Sequence, residues 1–227
     1  GQQALIANVG HAREPGGRAF ERFTDEGPLA LLPLLPDSGG GNRSALVWTL
    51  PPERAAALTR GSEQEFLALL QERFGYRLGR LTRVGERSTY PLALVEAREQ
   101  VRRHVVVMGN AAHTLHPVAG QGFNLALRDV WQLARTLAAS PADDPGELTV
   151  LQAYRDSQAA DQQRTTLFSD RLPALFRDRD PLVGLARDLG LAALDASGTL
   201  KREFVAVTAG VTALQATATS RPDRGPV

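Results

Sequence analysis

The stretch with the most chemical potential covers residues 104–130 and reads HVVVMGNAAHTLHPVAGQGFNLALRDV. It places Gly120 and Gly122 at the start of an apolar helical pattern. Glycine lacks a Cβ, so a ligand can lie close against its backbone. The first N–H groups of a helix have no intrahelical partner and carry the positive end of its dipole. Together these suit an anion, or a group that becomes anionic in a reaction. A tight turn with no ligand would use the same two glycines, and spacing alone leaves both readings open. Asn110 follows an apolar run and Gly109. In open α/β sheets, ligands lie at the strand ends, where this residue would sit. An Asn that caps a turn is the plainer alternative. His113 and His116 have a helical spacing suited to a metal pair. The segment reads as loop and offers no third ligand, so no metal is expected. No Ser–His–Asp set or carboxylate pair stands out, and no catalytic side chain is assigned.

These residues need elements to hold them. Residues 105–108 read as a short apolar strand that Gly109 breaks. Phe123, Ala126, Leu127, Val130, Leu133, Ala134 and Leu137 recur at helical spacing, which predicts a helix to about residue 139. A connector at 140–146 leads to a mostly helical region, 147–215, with breaks expected near Pro173 and Pro181. Upstream the pattern favours strands: 4–9, 17–24, 28–35, 44–50 and 89–96, with a turn cluster at 37–42. Pro33 argues for a bulge or an edge position. Two short helices interrupt the strands. One starts at Pro51-Pro52 and ends near Gly61. The other has Ser62 and Glu65 at capping-box spacing and ends at Gly75. Strand-rich and helix-rich halves together predict a small antiparallel sheet followed by helices.

Composition removes several classes of protein. The chain has 227 residues, 43% of them hydrophobic and 22% charged, as a soluble globular protein has. Lys and Arg number 26 against 25 acidic residues, so no charge surplus favours nucleic acid. With no cysteine, a disulfide, a thiolate metal site and a Cys nucleophile are all excluded. No secretory leader is visible at residues 1–16, and no apolar stretch approaches the ~20 residues of a membrane span. A cytoplasmic location is expected, with at most peripheral contact with the inner membrane.

The run GNAAHTLHPVAGQGFNLALRDV resembles the second FAD motif of class A flavin-dependent aromatic monooxygenases. Its detail is most similar to the ubiquinone-biosynthesis branch, and QQALIANV, GRAFERFT, GPLALLPL and LVWTLPPE extend the likeness upstream. The resemblance covers residues 2–205 and is most specific at 104–131. It implies an α/β protein, α+β within this chain. A substrate-binding antiparallel sheet with two short helices would occupy 1–99. The C-terminal part of an FAD-binding domain would occupy 100–140, a helical region 141–215 and a disordered tail 216–227. It implies FAD as cofactor, contacted by Gly109, Asn110, Ala111, Pro117, Gly120, Gln121, Gly122, Phe123 and Asn124. Many class A enzymes have Asp where this chain has Asn110, which brings no charge. The helix start would face the pyrimidine end of the flavin, where the reduced ring is negative. Arg128 and Asp129 match family positions and could pair or support the loop.

The same resemblance implies NAD(P)H as reductant, O₂ as oxidant and a polyprenylated phenol as substrate. Leu32, Pro33, Leu34 and Trp48 are the implied substrate wall, although core packing is the plainer reading for Trp48. Homo-oligomers or a complex with other quinone-biosynthesis enzymes fit this picture. The family's N-terminal dinucleotide-binding βαβ unit is not found here. The chain therefore reads as a C-terminal part, expected to bind FAD weakly alone and to expose an apolar edge at 105–108. Two alternatives stay open: a related flavin hydroxylase acting on another ring position or aromatic, and a non-catalytic module that holds quinone precursors.

Overall fold

The computed structural model describes residues 1–117, 120–141, 143–178 and 180–208. The tail expected at 216–227 lies outside them. The chain divides into two compact units. Gly1–Ala93 with Leu172–Asp178 form the first; Leu94–Arg171 and the described residues beyond 179 form the second. The boundary thus falls before Leu94 rather than near residue 99, and residues 100–140 group with the helical residues up to Arg171.

The first unit is an antiparallel sheet backed by two helices. β1 (Gln2–His11) pairs with β4 (Arg43–Leu50), which pairs with β3 (Pro28–Pro33), which pairs with β2 (Phe20–Phe23). On its other side β1 pairs with β5 (Leu81–Val84) and β6 (Ser88–Leu92). Alternation decides which side chains go inside. The register aligns Leu29, Trp48 and Leu5 in one row and Leu31, Leu46 and Ala7 in the next. All six are buried. α1 (Pro52–Arg60) and α2 (Glu63–Phe74) supply Ala55, Phe66, Leu70 and Phe74 to the same core. The Phe66 ring meets Trp48 edge-on at 6.4 Å, and Phe74 meets Phe20 at 6.1 Å. Each large apolar side chain buried this way contributes about 1.5–3 kcal/mol.

The helix ends follow the sequence closely. The Ser62 hydroxyl accepts from the Glu65 N–H at 3.2 Å, and the Glu65 carboxylate accepts from the Ser62 N–H at 3.2 Å. Arg87 donates to the carbonyls of Leu58 and Gly61, each at 2.7 Å, and lies over the Phe66 ring. It thereby satisfies carbonyls that a helix C-terminus leaves open.

The second unit begins with short strands. β7 (Val95–Glu96), β8 (Val101–Arg102) and β9 (Val105–Val106) precede a 3-10 turn at Gly109–Ala111 and β10 (His113–Thr114). α3 (Gln121–Ala139) and α4 (Leu148–Arg177) follow, then α5 (Pro181–Ala196) and α6 (Gly198–Thr208). The last turns of α4 belong to the first unit, where Phe176 stacks on Phe23 at 4.4 Å. No helix among the described residues is long and apolar enough to cross a membrane.

Three elements differ from expectation. The strand expected at 105–108 shortens to Val105–Val106 and folds back on β8 as a hairpin, with His104 at φ 62 in its turn. The strand expected at 89–96 splits, because Ser88–Leu92 pairs with β1 while Val95–Glu96 pairs with β10. Pro173 does not break α4, which continues through it. Tertiary packing such as the Phe176–Phe23 stack offsets the missing N–H. Pro181 instead opens α5 in the first turn, where proline is tolerated, and the Asp180 carboxylate accepts from Leu182 N–H at 2.8 Å.

Candidate functional site

The glycine segment is assembled within the second unit. Gly109 has φ 58, a left-handed value that opens the 3-10 turn without the steric cost a Cβ would bring. The turn closes through Ala112 N–H to the Gly109 carbonyl at 2.9 Å, and the Thr114 hydroxyl donates to the Asn110 carbonyl at 3.0 Å. A Cβ on Gly109 would sit 3.9 Å from the Ala126 Cβ, so the turn lies against α3. Gly120, with φ 62, is the N-cap of α3, and no side chain caps its first turn. Cβ atoms built on Gly120 and Gly122 would meet nothing within 4 Å. Asn110, Ala111, Pro117, Gly120 and Phe123 are exposed; Gly109, Gly122 and Asn124 are half-buried; Gln121 is buried. The structure therefore brings the turn and the helix start together. With no side chain among the described residues capping the first turn of α3, it leaves an open backbone ledge, which fits a flavin's anionic edge. Pro117 precedes residues 118–119, which lie outside the described structure.

Behind this ledge is a buried polar hub that sequence reading did not assemble. His113 Nε2 lies 3.2 Å from Asp129 Oδ2, and both side chains are buried. Gln158 and Gln162, one turn apart on α4, donate to Asp129 Oδ1 at 2.8 and 3.1 Å. Arg128 and Asp129 do not pair with each other. Arg128 donates to Asp161 at 2.6 Å and to the Thr165 hydroxyl at 3.1 Å. The buried Tyr154 ring packs with Val101 and Leu151. Burial, with a smaller contribution from Asp129, pushes its phenol well above the usual range. The sequence signal was a polar stripe on α4 at 158, 161, 162 and 165, spaced to face one neighbour. His113 faces Asp129, and no group of three or more His, Asp or Glu side chains placed to hold a metal ion occurs among the described residues. A concavity of about 750 Å³ in this unit is lined by Arg98, Gln100, Arg155 and Gln163 among others, and residues 109–112 and 120–124 are absent from its walls.

The expected substrate-wall residues divide by face. Leu32 is exposed and Pro33 and Leu34 are half-buried. Trp48 has no exposed surface and belongs to the core against Phe66, so its ring offers nothing to a ligand. The pleat explains the difference: Leu32 shares the face opposite α1 and α2 with Ile6, Ala30, Ala45 and Val47, whereas Trp48 points to those two helices. Those four side chains, unnoticed in the sequence, follow from the register.

Comparison with known proteins identifies the family and the fold. A family model described as an FAD binding domain matches residues 11–169, and the chain belongs to that family. The chain is 40% identical over 207 residues to ubiquinone hydroxylase UbiL of Rhodospirillum rubrum, covering 90% of this chain and 47% of that protein. It is 32% identical to 3-demethoxyubiquinol 3-hydroxylase of Escherichia coli, covering 92% of this chain and 53% of that protein. The chain thus spans about half the length of these curated relatives. In fold it is similar to pqsL, a probable FAD-dependent monooxygenase from Pseudomonas aeruginosa. The TM-score is 0.62 at 21% identity, over 82% of this chain and 51% of that one. The mixed helix and antiparallel-sheet fold is that of FAD-dependent monooxygenases.

Proposed function

We propose that this chain belongs to an FAD- and NAD(P)H-dependent monooxygenase that hydroxylates a polyprenylated phenol in ubiquinone biosynthesis. The observation that carries this is the left-handed Gly120 starting an uncapped α3 beside the 109–111 turn, inside the region matched by the FAD-binding family. The names of the relatives support the substrate class. Gly109, Asn110, Ala111, Pro117 and residues 120–124 would hold FAD, which would supply the redox chemistry of the monooxygenation, with NAD(P)H as reductant and O₂ as oxidant.

The chain's own residues bind and orient. Gly109, Asn110 and Ala111 present a turn, and Pro117 and residues 120–124 present backbone. The first N–H groups of α3 hold negative charge that develops on the cofactor edge. Asn110 offers an amide able to hydrogen-bond a hydroxyl without adding charge. Leu32, with Ile6 and Val47 on the same sheet face, would offer apolar surface to a prenylated phenol, Pro33 and Leu34 would border it at the end of β3, and such surface excludes water.

The test uses the natural gene product that carries these residues. It is expected to purify with flavin absorbance, and to consume NAD(P)H and O₂ when given a short-chain prenylphenol, yielding a hydroxylated ring by mass spectrometry. A colourless protein with no such turnover would overturn the proposal. Hydroxylation of a non-prenylated phenol in preference would favour the related-hydroxylase alternative.

A further inference from the structure

Asp129 is the hub of three elements: β10 through His113, its own helix α3, and α4 through Gln158 and Gln162. We propose that His113 and Asp129 form a positioning clasp that fixes the 109–111 turn against the start of α3, and so sets the shape of the flavin ledge. This rests on the flavin-site reading above.

The physical argument begins with how little else holds the turn. β10 is two residues long and pairs with the two-residue β7, whose side chains are exposed. Besides that ladder, Ala97 N–H donates to the Ala112 carbonyl at 2.8 Å, and beyond β10 the Ser169 hydroxyl donates to the His116 carbonyl at 2.9 Å. So short a ladder is marginal in water. His113 sits two residues beyond Ala111, and Asp129 lies five residues beyond Asn124. Their 3.2 Å contact joins the two halves of the ledge across 16 residues of chain. The carboxylate has no rotational slack, since Oδ1 accepts two amides and Oδ2 faces the imidazole. Arg128–Asp161, one residue along, fastens the same turn of α3 to α4. A buried polar pair stabilises less than apolar packing of the same shape would, but losing one partner leaves the other uncompensated. Satisfied networks of this kind specify a single arrangement. That is what a cofactor ledge needs, because sub-ångström placement of N–H groups governs their effect. Tyr154 on α4 feels the Asp129 charge, Glu96 stands opposite His113 in the β7–β10 ladder, and Arg98, Glu99, Arg155 and Asp170 line the same concavity as His113.

The full chain would be titrated with FAD, followed by flavin fluorescence and by visible circular dichroism of the bound flavin. His113→Leu removes the donor; His113→Gln puts an amide N–H near the position of Nε2. His113→Leu is expected to raise the FAD Kd at least tenfold and to change the flavin dichroism, and His113→Gln to restore both to within threefold. Amide exchange in residues 109–114 is expected to speed up at least tenfold in His113→Leu, with β1 and β4 unchanged. Wild-type affinity and dichroism in His113→Leu would overturn the clasp. If wild type bound no FAD, the flavin-site reading would fail, and unchanged exchange at 109–114 would overturn the clasp separately. If His113→Leu did not fold, Asp129→Asn, of equal size, takes its place: weaker FAD binding with faster exchange at 109–114 would support the clasp, and wild-type values would overturn it.

Discussion

At the scale of single residues, the two glycines of the ledge make opposite demands. Gly120 is left-handed and its missing Cβ would meet open space, so the cost of a side chain there is backbone strain alone. Gly120→Ala is expected to destabilise the chain by about 1–2 kcal/mol, seen as a lower urea midpoint. Gly122 lies in α3 without a positive φ and also has space for a Cβ. Gly122→Ala is therefore expected to hold or raise the urea midpoint, by up to about 1 kcal/mol, while weakening FAD binding. Unchanged FAD affinity would show that no ligand approaches this backbone. Tyr154 supplies a pH signature. Its phenol is held well above the usual range by burial and then by Asp129. Stability from the neutral phenol is complete below the unfolded value near ~10 and falls as pH rises towards the folded value. Tyr154→Phe is expected to flatten the loss of urea midpoint between about pH 9 and 11. Its hydroxyl has no hydrogen-bond partner among the described residues, so the change sacrifices none.

At the scale of elements, the caps are the most legible feature. The Ser62–Glu65 box is written in adjacent residues and appears as expected. Ser62→Ala is expected to cost about 1 kcal/mol, read as a lower thermal midpoint. The Ser62 hydroxyl, and after it the Ser62 backbone N–H, hold the Glu65 carboxyl below its usual range. The contribution of the box is thus present above the ordinary glutamate value and is lost as acid takes the pH through the lowered one. Strands of the first unit were legible because half-buried alternation marks them, as in Leu5, Ala7 and Val9 of β1. Residues 89–96 were misread as one strand because the apolar pattern runs on while the pairing partner changes from β1 to β10. Pro173 was misread because local propensity cannot register a stack such as Phe176 on Phe23. The periodic face of α3 announced a helix but not its cover: Phe123, Leu127 and Val130 are exposed.

At the scale of the whole chain, the glycine ledge was legible and its support was not. Gly109, Asn110, Gly120 and Gly122 lie close together in sequence, and their residue types point directly to backbone access. The clasp joins residues 16, 29 and 33 positions apart, and nothing local marks His113, Asp129, Gln158 and Gln162 as neighbours. Likewise Trp48 and Leu32 could not be assigned to opposite sheet faces until the register was known. Family membership and fold now rest on residues 11–169 as a whole rather than on the motif alone.

The central claim is that Gly109–Ala111, Pro117 and residues 120–124 receive the flavin. Amide hydrogen exchange with and without saturating FAD tests it most directly. The expected result is FAD-dependent slowing in peptides covering Gly109–Ala111 and the first turn of α3, at FAD concentrations high enough to overcome weak binding. Exchange there that ignores FAD, while FAD protects a different segment or none, would contradict it.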